Sequence, residues 1–166
     1  MFFITEIIGI VGALYLLVTV YLVFRGSNFI PTPQSVINEA LLLLKPNQTF
    51  IDLGFGNGEV LETAVGKHVK QAIGYELDFL RFFYTYVRLF PYINRGTVQL
   101  NYTSIWNADL SKADIVYTFF TSYHIDELYQ KAKHEMKKGS WFISYIHQVT
   151  LVKPTKQSGN LFFYRM

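Results

Sequence analysis

The pattern of apolar and polar positions divides the chain into one long charge-free run and a series of short alternating segments. From Ile7 to Phe24 there are 18 consecutive residues without a charge, and Met1 to Ile4 extend the apolar stretch past Glu6. As a helix of about 22 residues this segment measures about 33 Å, close to one hydrocarbon core. It predicts a transmembrane anchor over residues 1–25 ahead of one domain over 26–166. No Lys or Arg precedes the run and Arg25 follows it, which places the domain on the cytoplasmic side, or the matrix side in a mitochondrion. A cleaved signal peptide fits worse, because there is no basic leader and no small-residue cleavage site.

After a short link at Gly26 to Phe29, the elements alternate. Thr32 is placed to cap a helix starting at Pro33, with Val36, Ile37, Ala40, Leu41 and Leu44 as its apolar face. Strands are predicted at Thr49–Leu53, Gln71–Leu77, Thr97–Tyr102, Asp114–Phe120 and Ser140–His147. Helices are predicted at Glu59–Val65, Phe79–Phe90 (stopping at Pro91) and Tyr123–Lys138. The tail reads as a hairpin of Val149–Lys153 and Leu161–Arg165. Strands spaced by helices predict an α/β fold: a Rossmann-like, doubly wound, mostly parallel seven-stranded sheet with a C-terminal antiparallel hairpin, preceded by the transmembrane helix. Phe79, Phe82, Phe83, Tyr86 and Phe90 share one helix face, which predicts core packing.

Composition narrows the chemistry. The chain has 166 residues, 51% hydrophobic, 16% charged and no Cys. Disorder, a disulfide scaffold and a zinc-thiolate site are excluded. His68, His134 and His147 share no metal-ligand spacing, so no metal is expected. A net charge of +3, without an aromatic-interleaved basic motif, does not argue for nucleic acid. Lys131, Lys133, Lys137 and Lys138 cluster around the end of the last helix. They read either as a solvated helix end or as a contact with anionic lipid.

The chemistry sits in Asp52-Leu53-Gly54-Phe55-Gly56-Asn57-Gly58-Glu59, a buried strand running into a glycine loop and then a helix. Glu59 occupies the place of a dinucleotide fingerprint's third glycine, and no Gly-Lys-Ser/Thr follows, so both phosphate-binding loops fail. Asp52 sits badly against a pyrophosphate and suits an ammonium group. Glu76, at the end of the next strand, is placed to accept ribose hydroxyls. A phosphate-free nucleoside with an amino-acid tail is S-adenosylmethionine, which makes Asp52, Gly54, Gly56, Gly58 and Glu76 candidate cofactor residues. The segment Tyr117-Thr118-Phe119-Phe120-Thr121-Ser122-Tyr123-His124 ends the fourth strand, where such folds place the acceptor. Phe119, read as channel wall or core, Thr118 beside it, and His124, a candidate proton acceptor, are the candidate catalytic residues.

On these motifs the chain resembles the class I, seven-β-strand methyltransferases. It is most similar to the small protein-lysine methyltransferases that include the archaeal broad-specificity enzyme. Their mitochondrial membrane-associated relatives modify ATP synthase subunit c and the adenine nucleotide translocase. Phe29-Ile30-Pro31-Thr32-Pro33 resembles the family's Pro-Thr-Pro entry to the first helix, Ile51 to Glu59 its glycine loop, and Ala72 to Leu77 its acidic strand end. Ser104-Ile105-Trp106 lies where the family places its adenine-side residues. Asn57, Glu59 and Ser104 stand where the family usually has Asp, Arg and an acid. The resemblance implies Thr32, Ser104 and Ile105 as further cofactor residues and a lysine of a membrane or membrane-proximal protein as substrate, with the bilayer as a partner through residues 1–24. Two alternatives stay open: a lipid or quinone methyltransferase of the same fold, and an anchored module that binds cofactor or partner without catalysis.

Overall fold

The computed structural model describes residues 2–24 and 30–166, so Arg25 and the link at Gly26 to Phe29 lie outside the described residues. A helix α1 (Phe2–Phe24) precedes the domain. Then come α2 (Gln34–Ala40), continued by a 3-10 turn at Leu41–Leu43, β1 (Thr49–Leu53), α3 (Glu59–Val65), β2 (Gln71–Glu76), α4 (Phe79–Asn94) and β3 (Val98–Tyr102). A 3-10 turn at Ile105–Asn107 leads to β4 (Ile115–Thr118), α5 (Ile125–Glu135), β5 (Trp141–Tyr145), β6 (Lys156–Ser158) and β7 (Leu161–Arg165). The strands form one seven-stranded sheet in the order β3-β2-β1-β4-β5-β7-β6. β1 to β5 pair in parallel, while β7 runs antiparallel to both β5 and β6. The sheet matches the sequence expectation, and it reverses direction between β1 and β4, where such folds open a ligand crevice.

Period-two alternation sends successive strand residues to opposite faces. Ile51, Leu53, Ile73, Val116, Phe142 and Tyr164 pack with Ile125, Leu128 and Tyr129 of α5. Phe50, Ala72, Ile115, Tyr117, Ile143 and Phe163 pack on the other face against Ile37, Leu61 and Leu89 of α2, α3 and α4. Every residue of β1 is buried, which explains its near-continuous apolar reading. Asp52 is the exception within it.

Four expectations are corrected. The single-pass membrane placement is not upheld: among the described residues no helix is long and apolar enough to cross a membrane. A span needs about 18–20 consecutive apolar residues. Of the aromatic stripe of α4, Phe82 packs partly against the core, and the rest is turned away from it. Phe79, Phe83 and Phe90 are at least half exposed, and the helix turns Thr85 and Leu89 inward. The reason is close approach. The Thr85 hydroxyl donates to the Gly56 carbonyl at 2.9 Å, a contact no aromatic ring could make. The displaced rings pair with one another and with Tyr102. α4 also continues through Pro91 to Asn94, losing only the amide that proline lacks. Finally, β6 is Lys156–Ser158, inside the segment expected to be a turn, and Val149–Lys153 is not a strand.

Candidate functional site

β1 carries Asp52 at the level of Tyr117 on β4, its partner in the parallel register. Beyond their C-terminal ends the chain makes a pocket. Its walls are Thr32 and its neighbours Ile30 and Pro31, Asp52, the loop residues Gly54, Phe55 and Gly56, Glu59 and Val60 of α3, and Tyr117 and Phe119. Thr32, Asp52, Gly54, Gly56 and Phe119, all expected from sequence, are thus brought together.

The loop geometry explains the glycines. Gly54, Gly56 and Gly58 have φ of 84°, 52° and 82°, in the left-handed region that L side chains rarely occupy. Gly58 lies away from the pocket, at the N-cap of α3. A Cβ there would stand 2.5 Å from Thr85 Cγ2, so its role is to let α3 and α4 approach.

Asp52 is 2% exposed, and its Oδ2 has no hydrogen-bond partner among the described residues. Burial, then the charges of Glu76 and Glu59, push its carboxyl well above the usual carboxylate range. A buried, partnerless carboxylate facing a pocket is complementary to a cation. The residues present therefore fit S-adenosylmethionine: an ammonium against Asp52, and a glycine backbone that leaves room for a ligand.

Glu76 ends β2 and is also buried. Its Oε2 accepts from Gly56 N at 2.9 Å, and its Oε1 from Leu77 N at 2.8 Å and Asp78 N at 2.9 Å. Three of about four acceptor positions of the carboxylate are taken by backbone. Glu76 thus holds the glycine loop against the exit of β2, a duty sequence reasoning did not assign.

Thr32 does not cap α2, whose N-cap is Pro33 without a side-chain bond. Its hydroxyl lies 3.2 Å from that of Tyr117. Tyr117 is 1% exposed, and burial pushes its phenol well above the usual tyrosine range. Sequence reasoning missed Tyr117 and Glu59 as pocket residues, although the pairing of β1 with β4 places Tyr117 beside Asp52.

The other expected residues lie elsewhere. Thr118 is fully buried, and its hydroxyl donates to the Leu53 carbonyl at 3.3 Å, tying β4 to β1. His124 starts α5 outside the pocket, with its ring near Trp106 and Phe120 and its Nδ1 3.6 Å from a Glu127 oxygen. The Ser104 hydroxyl accepts from Trp106 N at 3.4 Å, capping the 3-10 turn, and Ile105 packs into the core. Phe119 meets Tyr145 edge-on, with ring centroids 4.9 Å apart.

Comparison with known proteins agrees with this geometry. The ANTKMT methyltransferase domain matches residues 52–156. A protein-lysine N-methyltransferase of Saccharolobus islandicus is 27% identical over 124 residues, covering 73% of this chain and 77% of its own. The RNA methyltransferase from Salinibacter ruber, solved in complex with S-adenosyl-L-homocysteine, superposes with a TM-score of 0.76 at 18% identity, over 82% of this chain and 93% of that one. A precorrin-6y C5,15-methyltransferase from Geobacter metallireducens superposes with a TM-score of 0.61 at 18% identity, over 72% of this chain and 65% of that one. At these identities the solved structures establish the fold. The family match establishes a methyltransferase, whose cofactor is S-adenosylmethionine. The matched stretch starts on Asp52, takes in the glycine loop, Glu76 and Phe119, and covers more than half of the chain, which belongs to the ANTKMT methyltransferase domain family.

Proposed function

We propose that the chain is a protein-lysine N-methyltransferase whose donor binds between the glycine loop and Thr32. The observation that carries the reading is Asp52, a buried carboxylate with one oxygen unpartnered, facing a pocket walled by glycines on one side and by Phe119 on the other. The lysine part is supported by the likeness to the Saccharolobus islandicus protein-lysine N-methyltransferase. It needs no membrane anchor.

When bound, S-adenosylmethionine supplies a methyl group on a sulfonium, a leaving group that needs no acid. The chain's own residues bind and align. Asp52 holds the donor's ammonium, Gly54 and Gly56 leave space for it, and Glu76 offers its remaining acceptor position to the ribose. An adenine-side role for Ser104 and Ile105 rests on the resemblance alone, since both lie outside the pocket walls. The Thr32–Tyr117 pair fixes the wall opposite the loop. Phe119, braced by Tyr145, lines the approach of the lysine side chain. Proximity is the main catalytic contribution in such a site. A lysine amine, with a reference pKa of ~10.4, must lose its proton to attack. An apolar wall favours the neutral form by excluding water. Thr118 and His124 take no direct part, since the Thr118 hydroxyl is spent on the Leu53 carbonyl and the His124 ring packs with Trp106 and Phe120 at the start of α5.

The test is incubation of the full chain with methyl-labelled S-adenosylmethionine and proteins of its host, followed by counting of delipidated protein. Base-stable label recovered as methyl-lysine, and absent with Asp52→Asn, is the expected result. Label confined to the lipid extract would replace the reading with a small-molecule methyltransferase. Tight S-adenosylhomocysteine binding without transfer would replace it with a non-catalytic module.

A further inference from the structure

A second concavity, of about 350 Å³, opens at the other end of the parallel strands. It is separated from Asp52 by most of the length of β1, roughly 10 Å at 3.3 Å per residue. Four cations line it: Lys45 before β1, Lys137 and Lys138 in the turn before β5, and Arg165 at the end of β7. Asp114 is the one carboxylate in the wall, and it is occupied. Its Oδ2 accepts from Thr49 N at 2.8 Å, and its Oδ1 lies 3.3 Å from Lys137 Nζ.

The turn that presents the lysines is built rather than loose. Ser140 Oγ donates to the Lys137 carbonyl at 2.6 Å, and Gly139 takes a φ of 86°. The Arg165 guanidinium is held over the Trp141 ring at 4.8 Å. Among the described residues, neither Lys45 nor Lys138 makes an ion pair. The sequence cluster of four lysines is therefore divided: Lys131 pairs with Glu135, Lys133 is outside the cavity, and only Lys137 and Lys138 enter it.

Like charges gathered on a concave surface focus the potential inside it. Here they converge from three separate segments, so their donors reach a common anion from several directions. That geometry suits a tetrahedral phosphoryl group better than a planar carboxylate. Of the other lining residues, Gln48 and Ser140 are polar, and Leu42, Leu43 and Trp141 supply the apolar surface.

We infer that this cavity binds an organic phosphate. Lys45, Lys138 and Arg165 hold the phosphoryl group, and Trp141, Leu42 and Leu43 receive the apolar body attached to it. A soluble phosphate ester and a phospholipid headgroup offer the same chemistry. The site is independent of the methyl-transfer reading.

The test is calorimetric titration of the full chain at low salt with phenyl phosphate, inorganic phosphate and vesicles of phosphatidylglycerol in phosphatidylcholine. Saturable one-to-one binding of phenyl phosphate, tighter than that of inorganic phosphate, is expected. The double variant Lys45→Gln/Lys138→Gln weakens it about tenfold, consistent with the loss of two exposed, salt-screened contacts. Lys133→Gln leaves it unchanged, and S-adenosylhomocysteine affinity is the same in all three proteins. Vesicles that compete with phenyl phosphate assign the site to a lipid headgroup, and vesicles that do not compete assign it to a soluble ester. Absence of saturable phenyl phosphate binding, or an equal loss in Lys133→Gln, overturns the inference.

Discussion

The two ends of the parallel strands carry opposite chemistry, obtained in opposite ways. At the C-terminal end the charges are carboxylates drawn from the strands themselves: Asp52 within β1 and Glu76 closing β2, both almost fully buried. At the N-terminal end they are cations drawn mostly from connections, Lys45, Lys137 and Lys138, with Arg165 from the last position of β7, and all four are exposed. A buried charge is fixed in place and costs stability until a ligand answers it, whereas an exposed one costs little and is screened by salt. The difference teaches that the acid end is complementary to a cationic ligand, and that the basic end can change without disturbing the fold.

Asp52→Asn breaks this contrast most strongly. Loss of a charge-assisted contact of about 2–3 kcal/mol predicts roughly 30- to 150-fold weaker S-adenosylhomocysteine binding by calorimetry. The same change should stabilise the ligand-free chain. Asp52 holds its proton more tightly folded than unfolded, because burial and then Glu76 and Glu59 raise its carboxyl. Its favourable contribution is therefore present at low pH and is lost as pH rises from the unfolded value near ~3.9 through the raised folded value. Melting at pH 7 should show Asn above Asp, with the gap closing towards pH 4. For the same reason, wild-type affinity for S-adenosylhomocysteine should fall as acid protonates Asp52, and that of the Asn variant should not.

Gly58→Ala comes next. A left-handed alanine costs about 1 kcal/mol, and overpacking against Thr85 adds about 1–3. Urea unfolding should show the sum. Adding Thr85→Ser, which removes the clashing methyl, should return the packing part and leave the backbone part. Tyr117→Phe should cost about 1 kcal/mol, since it deletes one partner of a buried pair and leaves Thr32 without it. Its signature is a several-fold rise in KM for the donor with a smaller change in kcat. The smallest effect belongs to the basic end: Lys45→Gln/Lys138→Gln should leave both the melting temperature and methyl transfer unchanged. A melting shift comparable to that of Gly58→Ala would erase the distinction between the two ends.

How much could be read in advance follows the same division. The glycine loop and the parallel strands were legible because they rest on local rules: positive φ, buried runs, an acid at a strand end. The parallel sheet and its antiparallel C-terminal hairpin were read in advance, whereas the order of the strands came only with the structure. Side chains whose position depends on distant partners were not legible. Phe79, Phe83 and Phe90 had the spacing of a core stripe, yet the face of α4 was chosen by Thr85 meeting Gly56, a contact across 29 positions. Thr32 was placed as a cap and instead meets Tyr117, 85 positions away. Lys45 and Arg165, at opposite ends of the domain's sequence, could not be joined to Lys138 until β7 was seen to lie beside β5.

Glu76 carries a consequence for descent. Its carboxylate gathers the amides of Gly56, Leu77 and Asp78, so the residue proposed for the ribose is also the keystone of the loop. Aspartate is one methylene too short to keep all three, and glutamine offers one acceptor oxygen in place of two. Selection for folding and selection for chemistry thus fall on the same codon. A lineage that abandoned methyl transfer would not release this position to drift; it would keep the glutamate for as long as it kept the sheet.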